Sequence, residues 1–345
     1  MKMKARKECV VKKIMNSADT FVKDTVEGIT AAYSDKVKLL NDDYRVLLSN
    51  YPTAENKVGV VTAGGSGHLP LFLGYVGKGM LDGCAIGEVF ASPAASKMAD
   101  MIRACDRGSG VLCLFGNYNG DLFNFRMAAD EVEFDDIETR LVVANDDLAS
   151  STKENSEKRR GVAGILYAYK IAGAAAVAGK SLDDVAAIAK KAIANIRTMG
   201  VATSPCIVPK VGEASFSIGS DEIEIGMGIH GEAGIEVRKM MTADEIADLV
   251  VNRILEELPL TSGDEVSVMV NGLGATPLEE QLIVYRSVKR RLDDLNVNVI
   301  MPHVGEFATS MEMAGLSVTI FKLDPELKAL LLEPAVTPFY TNLNK

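Results

Sequence analysis

Two of the three histidines in this 345-residue chain lie in glycine-rich turns. His68 ends the segment AGGSGH, and His230 lies within GMGIHGE; the third histidine is His303. Both segments follow runs with strand character, which places the two imidazoles at strand ends. A neutral imidazole there can act as a nucleophile, a general base or a hydrogen-bond partner. A tight turn with a chance histidine at residue 68 and a satisfied core histidine at residue 230 are the alternatives.

The residues before His68 favour a ligand-binding loop. Gly65, Ser66 and Gly67 follow a β-rich run and precede a predicted helix over residues 70–78. Glycines let the backbone approach a small ligand closely, and a helix N-terminus offers free N–H groups. Ligands of α/β proteins bind at the carboxyl ends of strands, where this loop is predicted to lie. The spacing fits neither GxGxxG nor a P-loop, so it does not identify the ligand.

A carboxylate follows the next buried run along the chain. Asp121 ends the segment NYNGD, directly after the apolar run over residues 110–115. It could be the N-cap of the helix predicted to follow. It could equally be a general base that faces the same crevice as His68. The two roles are compatible.

Two other segments suggest cofactor sites that their context does not support. Residues 174–181 (AAAVAGKS) resemble a Walker A loop, but the first glycine is missing and the preceding residues are helical rather than a strand. Asp146 and Asp147 lack the spacing of a metal site and are predicted to form a solvated acidic turn. We therefore expect neither a nucleotide nor a metal ion on this chain.

Composition excludes several broad classes of function. The net charge is −10, from 37 Lys and Arg against 47 Asp and Glu, which disfavours nucleic acid as a partner. No apolar run reaches the ~18 residues that span a membrane. No two cysteines form a CxxC pair, which indicates free thiols in a reducing cytoplasm. The five cysteines are Cys9, Cys84, Cys105, Cys113 and Cys206.

Helical patterns alternate with short apolar strands in the first half, which predicts a largely parallel sheet covered on both faces. An alanine-rich helical stretch over residues 159–199 breaks near Gly179, and Ser181 starts its second piece. After residue 200 the pattern changes to hairpin strands, followed by a capped helix over residues 242–258. The predicted fold class is α/β, with two α/β domains whose mixed, largely parallel sheets are covered by helices. The domains are residues 1–195 and 196–345.

Nine short motifs follow one another along the chain. They are GGSGH (64–68), VGKGML (76–81), FASP (90–93), NYNGD (117–121), RRGVAG (159–164), KIAGAAA (170–176), GMGIHGEAG (226–234), NGLGATPLEE (271–280) and TSMEMAG (309–315). In this order they resemble one known family, the dihydroxyacetone-binding subunit of dihydroxyacetone kinase (DhaK). The resemblance covers about residues 10–340.

The resemblance implies a function for each candidate site. His230 would attack the ketone carbonyl and hold the substrate as a covalent hemiaminal. His68 and Asp121 would contact the substrate hydroxyls and move the proton during phosphorylation. The loop of Gly65, Ser66 and Gly67 would surround the substrate.

The resemblance also implies the partners. The chain would be a cytoplasmic homodimer that binds dihydroxyacetone and carries no cofactor of its own. ATP or ADP with Mg²⁺ would be bound by a separate DhaL-type subunit, with phosphate drawn from the phosphotransferase system.

Two positions beside the pocket depart from the family pattern. Gly116 stands where many members have a substrate-holding lysine, and Leu69 stands where glutamate is common. These changes leave two alternatives open. One is a kinase subunit for a four-carbon ketose such as erythrulose, and the other is a non-phosphorylating paralogue that binds the ketone and acts as a transcriptional co-regulator.

Overall fold

Eight α-helices and fourteen strands form the part of the chain that the computed structural model describes, residues 12–343. Cys9 and most of the basic N-terminal segment lie outside these residues. The helices are α1 (Phe21–Ala32), α2 (Ala95–Cys105), α3 (Asn119–Glu133), α4 (Ile165–Val177), α5 (Leu182–Ala194), α6 (Ala243–Glu257), α7 (Leu278–Asp294) and α8 (Pro325–Leu332). The strands are β1 (Val37–Leu40), β2 (Asp43–Ser49), β3 (Gly59–Ser66), β4 (Gly83–Val89), β5 (Val111–Gly116), β6 (Thr139–Ala144), β7 (Ile196–Ser204), β8 (Glu222–Ile225), β9 (Glu236–Lys239), β10 (Glu265–Gly272), β11 (Asn298–Gly305), β12 (Ala314–Leu323), β13 (Ala335–Val336) and β14 (Thr341–Asn342).

The first six-stranded sheet has the order β1-β2-β4-β3-β5-β6. Strands β4, β3, β5 and β6 are parallel, and β1 and β2 add an antiparallel edge. Alternate side chains of β5 explain its continuous apolar run, because Leu112 and Leu114 pack beneath α4 and α5 whereas Cys113 and Phe115 pack beneath α2 and α3. Both faces are covered, as the pattern predicts.

The second six-stranded sheet has the order β11-β10-β12-β7-β8-β9 and is mixed. Within this sheet only the β10–β11 pair is parallel, and the other four strand pairs are antiparallel. Helices α6 and α7 cover one face. From the opposite face, Met269 and Phe321 join the apolar core that packs under the first sheet. The predicted α/β class with helix-covered sheets is confirmed; the boundary at residue 195 stays a prediction.

Two features of the helical prediction are confirmed. Helices α4 and α5 are separated at Gly179, and the Ser181 hydroxyl accepts a hydrogen bond from the Asp184 backbone N–H. Thr242 and Glu245 form a capping box at the start of α6. In residues 12–343, no helix combines the length and the apolar character needed to cross a membrane.

The helix predicted over residues 70–78 is not formed, so no helix N-terminus faces the glycine-rich loop. One 3₁₀ turn, Leu73–Tyr75, stands in its place. Residues 71–76 are all buried, which leaves no polar face for an amphipathic helix. After this turn the Lys78 N–H donates to the Val336 carbonyl, so the backbone leaves the helical pattern there. Of the hairpin strands expected after residue 200, those over residues 205–211 and 215–218 are not formed.

A buried ion pair joins the first half of the chain to α6. Arg159 is 1% exposed and donates to both carboxylate oxygens of Glu257, at 2.7 Å for the Nη2–Oε1 contact. We expect Arg159→Ala to lower the free energy of unfolding by about 3 kcal/mol, because the Glu257 carboxylate then loses its main partner in a largely buried position. Urea unfolding measures this.

The matched control is Lys289→Ala, which removes an exposed ion pair with Asp293. That change should cost about 0.5 kcal/mol or less. An equal, small effect for both variants would show that the Arg159 pair does not stabilise the fold.

Candidate active site

His68 is buried and presents one unprotonated ring nitrogen. It follows β3, is 1% exposed, and has its Nδ1 at 2.9 Å from the Thr309 carbonyl oxygen. A carbonyl oxygen only accepts, so Nδ1 carries the proton and Nε2 is left as an acceptor. Nε2 has no partner within residues 12–343. Burial, and then the nearby His230, lower the pKa of His68 to about 3, so the ring is neutral at ordinary pH.

A loop of the second half fastens the His68 loop in place. The Met311 N–H donates to the Gly67 carbonyl at 2.8 Å, and the Thr309 hydroxyl donates to the Leu69 carbonyl at 2.9 Å. Gly67 has a φ of +99°, and a Cβ there would lie 2.9 Å from the Met311 sulfur. Only glycine fits this turn without strain.

Gly65 and Ser66 form the floor of the same loop. A Cβ on Gly65 would lie 2.7 Å from the Ala91 nitrogen, so a side chain is excluded there. The Ser66 hydroxyl donates to the Gly87 carbonyl at 2.8 Å. The hydroxyl proton of Ser66 is therefore used in a hydrogen bond that stabilises the loop.

His230 lies between β8 and β9 and is oriented by a carboxylate. Its Nδ1 is 2.9 Å from Glu232 Oε1, and its backbone N–H donates to Glu232 Oε2 at 2.9 Å. An ionised carboxylate only accepts, which assigns the proton to Nδ1 and leaves the Nε2 lone pair free. The side chain is 23% exposed. The alternative of a satisfied core histidine does not hold for His230.

Glu232 stays ionised because a hydrogen-bond donor and a guanidinium face it. Burial would raise the pKa of Glu232, but the hydrogen bond from His230 and the charge of Arg160 lower it to about 2. Arg160 lies 3.7 Å from Glu232 and 2.8 Å from Asp147.

The predicted solvated turn at Asp146 and Asp147 is wrong. Both side chains are buried. Asp146 accepts hydrogen bonds from the Val162 and Gly164 N–H groups, and Asp147 pairs with Arg160. The two carboxylates therefore hold the RRGVAG segment beneath the site.

Aromatic rings pack tightly around His230. The ring centroids of His68 and Tyr118 each lie 4.7 Å from that of His230, both edge-on. Phe90 stacks on His68 at 4.9 Å and lies 5.2 Å from His230. The structure therefore brings His68 of the first sheet and His230 of the second into contact.

Asp121 lies in the first turn of α3, next to the same cluster. It is 5% exposed, and its Oδ1 has no hydrogen-bond partner in the described part of the chain. Tyr118 occupies the N-cap position, so the interpretation of Asp121 as the N-cap is wrong. Burial raises the pKa of Asp121 to about 6, although a hydrogen bond with Ser92 and the charge of His230 oppose the shift. A carboxylate with this pKa can exchange protons near neutral pH.

Gly116 ends β5 and is buried beside Tyr118. A Cβ on Gly116 would lie 3.2 Å from the Tyr118 ring and 3.3 Å from the Gly161 carbonyl oxygen. Those contacts are tighter than ordinary packing, so the glycine leaves room for the ring. Leu69, the other departure from the family pattern, is half-buried against the main apolar core.

The third histidine belongs to the core. His303 is 8% exposed and lies between the hydroxyls of Tyr167 and Tyr340, each at 3.3 Å. Burial lowers its pKa to about 4, which keeps the ring neutral. Among residues 12–343, no three His, Cys, Asp or Glu side chains are grouped to hold a metal ion.

Sequence reasoning missed several residues that shape this site. Glu232, Thr309, Tyr118, Phe90 and Arg160 position or surround the two histidines. All five lie inside the motifs that support the family resemblance. Their place in those segments was the available signal, but no spacing rule indicates which of them contact His68 or His230.

Curated relatives match this sequence over nearly its whole length. It is 46% identical over 316 residues to the PTS-dependent dihydroxyacetone kinase 1, dihydroxyacetone-binding subunit DhaK, of Listeria innocua, covering 92% of this chain and 95% of the relative. It is 40% identical to the L-erythrulose kinase of Pectobacterium atrosepticum over 331 residues, which cover 95% of this chain but 56% of that kinase.

Two solved structures share the fold. The dihydroxyacetone kinase operon co-activator DhaQ superposes with a TM-score of 0.86 at 32% identity, over 92% of this chain and 98% of that one. The dihydroxyacetone kinase of C. freundii, in complex with AMP-PNP and Mg²⁺, superposes with a TM-score of 0.89 at 29% identity, over 96% of this chain and 61% of that one.

The family assignment follows from a domain model together with these relatives. The model of the Dak1 domain matches residues 27–339, which include both histidines, Asp121 and both six-stranded sheets. This chain therefore belongs to the Dak1 domain family, as the motifs indicate.

Proposed function

We propose that this chain is the ketose-binding subunit of a dihydroxyacetone kinase, and that it holds dihydroxyacetone covalently on His230. The His230–Glu232 hydrogen bond carries the proposal, because it leaves the His230 Nε2 lone pair free beside His68 and Asp121. The names of the relatives support the substrate class.

Addition to the ketone depends on the hydrogen bond between His230 and Glu232. The Nε2 lone pair of His230 forms a bond to the carbonyl carbon, and the carbonyl π electrons move to oxygen. The ring becomes an imidazolium, whose charge the Glu232 carboxylate stabilises across the 2.9 Å contact. The oxygen then takes a proton from solvent to give the hemiaminal, and the imidazolium keeps its Nδ1 proton in the hydrogen bond to Glu232. Glycerol, which has no carbonyl group, is not captured.

Phosphorylation needs a base at a terminal hydroxyl. The buried Asp121 carboxylate, with its pKa of about 6, is mostly unprotonated at pH 7 and can take the hydroxyl proton. His68 Nε2 accepts a hydrogen bond from substrate and helps to orient it. A nucleotide with Mg²⁺ on a separate DhaL-type subunit would supply the phosphoryl group, recharged by the phosphotransferase system. A cytoplasmic homodimer is proposed from the family resemblance.

Two relatives favour specific alternatives. The similarity to an L-erythrulose kinase, together with the missing side chain at Gly116, favours a four-carbon ketose as the second candidate substrate. The similarity to the co-activator DhaQ, together with Leu69 and Gly116, favours a ketone-binding co-regulator as the second candidate function. The retained Asp121 beside His230 favours the kinase.

Nuclear magnetic resonance with carbonyl-labelled dihydroxyacetone tests the covalent step. The labelled carbon should move from the ketone region to that of a saturated carbon bound to oxygen and nitrogen. His230→Ala should abolish the shifted signal, because no nucleophile remains. His303→Ala is the control and should keep it, since His303 lies in the core away from His230. An unshifted ketone signal with saturated wild-type protein would contradict the proposal.

Asp121→Asn separates the role of the carboxylate in activity from its effect on stability. Turnover should fall about 10²- to 10⁴-fold, because the general base is removed. The wild-type rate should fall as the pH drops through about 6, where Asp121 gains its proton. Pre-steady-state phosphorylation with the partner subunit, measured from pH 5 to 8, checks both. An unchanged pH profile in Asp121→Asn would contradict this role.

The same variant should be more stable at neutral pH. The folded-state pKa is raised from 3.8 to about 6, so the folded protein binds this proton more tightly than the unfolded chain. The ionised carboxylate therefore costs stability above about pH 6, and that cost disappears below about pH 4. We expect Asp121→Asn to gain about 3 kcal/mol in unfolding free energy at pH 7.5 and little at pH 4. A loss of stability at pH 7.5 would contradict the assignment.

Reconstitution distinguishes the kinase from the co-regulator. The chain is mixed with a DhaL-type subunit and its phosphoryl donor, and ketose phosphate is measured with dihydroxyacetone and with erythrulose. The kinase proposal predicts product, and the faster ketose identifies the substrate. Adduct formation without product from either ketose would favour the co-regulator.

A further inference from the structure

Three buried polar atoms without a partner belong to residues near His230. They are His68 Nε2, Asp121 Oδ1 and the Tyr118 hydroxyl, and within residues 12–343 only six buried side-chain atoms lack a partner. Two of the residues have rings that contact the His230 ring, and Asp121 lies in the first turn of α3, three residues after Tyr118. Because buried polar atoms are normally paired, the three together indicate the polar groups of a ligand.

The three atoms differ in what they can do. His68 Nε2 can only accept, because the ring proton lies on Nδ1, which donates a hydrogen bond to the Thr309 carbonyl. The Asp121 carboxylate also accepts once it is ionised. The Tyr118 hydroxyl can donate, and burial raises the pKa of Tyr118, which keeps that proton in place. The site therefore offers two acceptors and one donor.

Other donors near His230 are bonded or face a carboxylate. The Ser66 hydroxyl donates to the Gly87 carbonyl at 2.8 Å. Arg160 donates from Nε to Asp147 at 2.9 Å and from Nη2 to the Gly226 carbonyl, and its Nη1 faces Glu232 at 3.7 Å. The Tyr118 hydroxyl is a neutral donor that has no partner within residues 12–343.

Resting on the proposed function, we propose that Tyr118 is a catalytic residue that donates a hydrogen bond to the ketone oxygen of the substrate. His68 and Asp121 then accept from the hydroxyls on either side of the ketone. As the bond from His230 Nε2 to the carbonyl carbon forms, the π pair moves onto oxygen, and the Tyr118 O–H stabilises that developing charge. A ketone flanked by two hydroxyls matches this set of one donor and two acceptors.

The absence of a side chain at Gly116 leaves space for the Tyr118 ring. Any side chain there would begin 3.2 Å from the ring and push it from the end of β5. The hydroxyl of Tyr118 therefore supplies a polar contact beside the position where many family members have lysine. Gly116→Ala should disturb the ring and weaken ketone capture without removing a polar group.

Tyr118→Phe tests the proposal because it removes the hydroxyl and keeps the ring. The dissociation constant of the adduct is measured by carbon-13 resonance for dihydroxyacetone and for hydroxyacetone, which lacks one hydroxyl. Both should bind about 10- to 100-fold more weakly to Tyr118→Phe, because both retain the ketone oxygen. Asp121→Asn and His68→Asn should instead change the ratio between the two ligands. Tyr285→Phe, on α7, is the matched control and should change neither.

A second variant covers the case in which Tyr118→Phe does not fold. Site-specific 3-fluorotyrosine at position 118 keeps the shape and makes the hydroxyl a stronger donor, so adduct formation should tighten severalfold.

The outcomes separate this inference from the proposed function. No adduct with wild-type protein would overturn both. An adduct with wild type and equal affinity in Tyr118→Phe would overturn only the role of Tyr118. Weakening for dihydroxyacetone alone would place the Tyr118 contact on a hydroxyl and also overturn it.

Discussion

The hydrogen bond between His230 Nδ1 and Glu232 is the interaction on which the site depends. It assigns the ring proton, and so decides which nitrogen has a free lone pair. Glu232 can play this part only while ionised, and Arg160 with His230 keeps it so. Arg160 is in turn held by the buried Asp147. A charge from the first half of the chain thus supports the nucleophile of the second.

The two sheets are arranged so that this pair meets its neighbours. β3 and β5 end at the same edge of the first sheet and are followed by His68 and Asp121. The loop that carries Thr309 comes from the second half and fixes the ring of His68. Burying His68 Nε2 and Asp121 Oδ1 without partners costs stability, and such a cost is typical of a site prepared for a ligand.

The sequence predicts the α/β fold class and the loops that carry the candidate site. The apolar run at 110–115 and the β-rich run before Gly65 form β5 and β3, inner strands of the first sheet, because nearly every residue of these strands is buried and leaves a clear local pattern. The glycine turns around His68 and His230 also lie together. The helix expected at 70–78 is not formed, because residues 71–76 are all buried and leave no polar face.

Contacts through space are what the sequence could not show. Asp146 and Asp147 look like a surface turn, and only the fold brings backbone N–H groups and Arg160 to them. Glu232 lies two residues from His230, a spacing that is equally common on a surface. Nothing in the sequence distinguishes Tyr118 from the other tyrosines, because only the fold buries its hydroxyl without a partner.

The protonation of the His230 ring tests the central claim most directly. Long-range hydrogen–nitrogen correlation spectra of the ligand-free protein at pH 7.5 report which ring nitrogen carries the proton. The structure predicts a proton on Nδ1 and a bare Nε2, and Glu232→Gln should weaken that preference. A proton on Nε2 in the wild-type protein would contradict the account, because the nucleophilic lone pair would then point at Glu232.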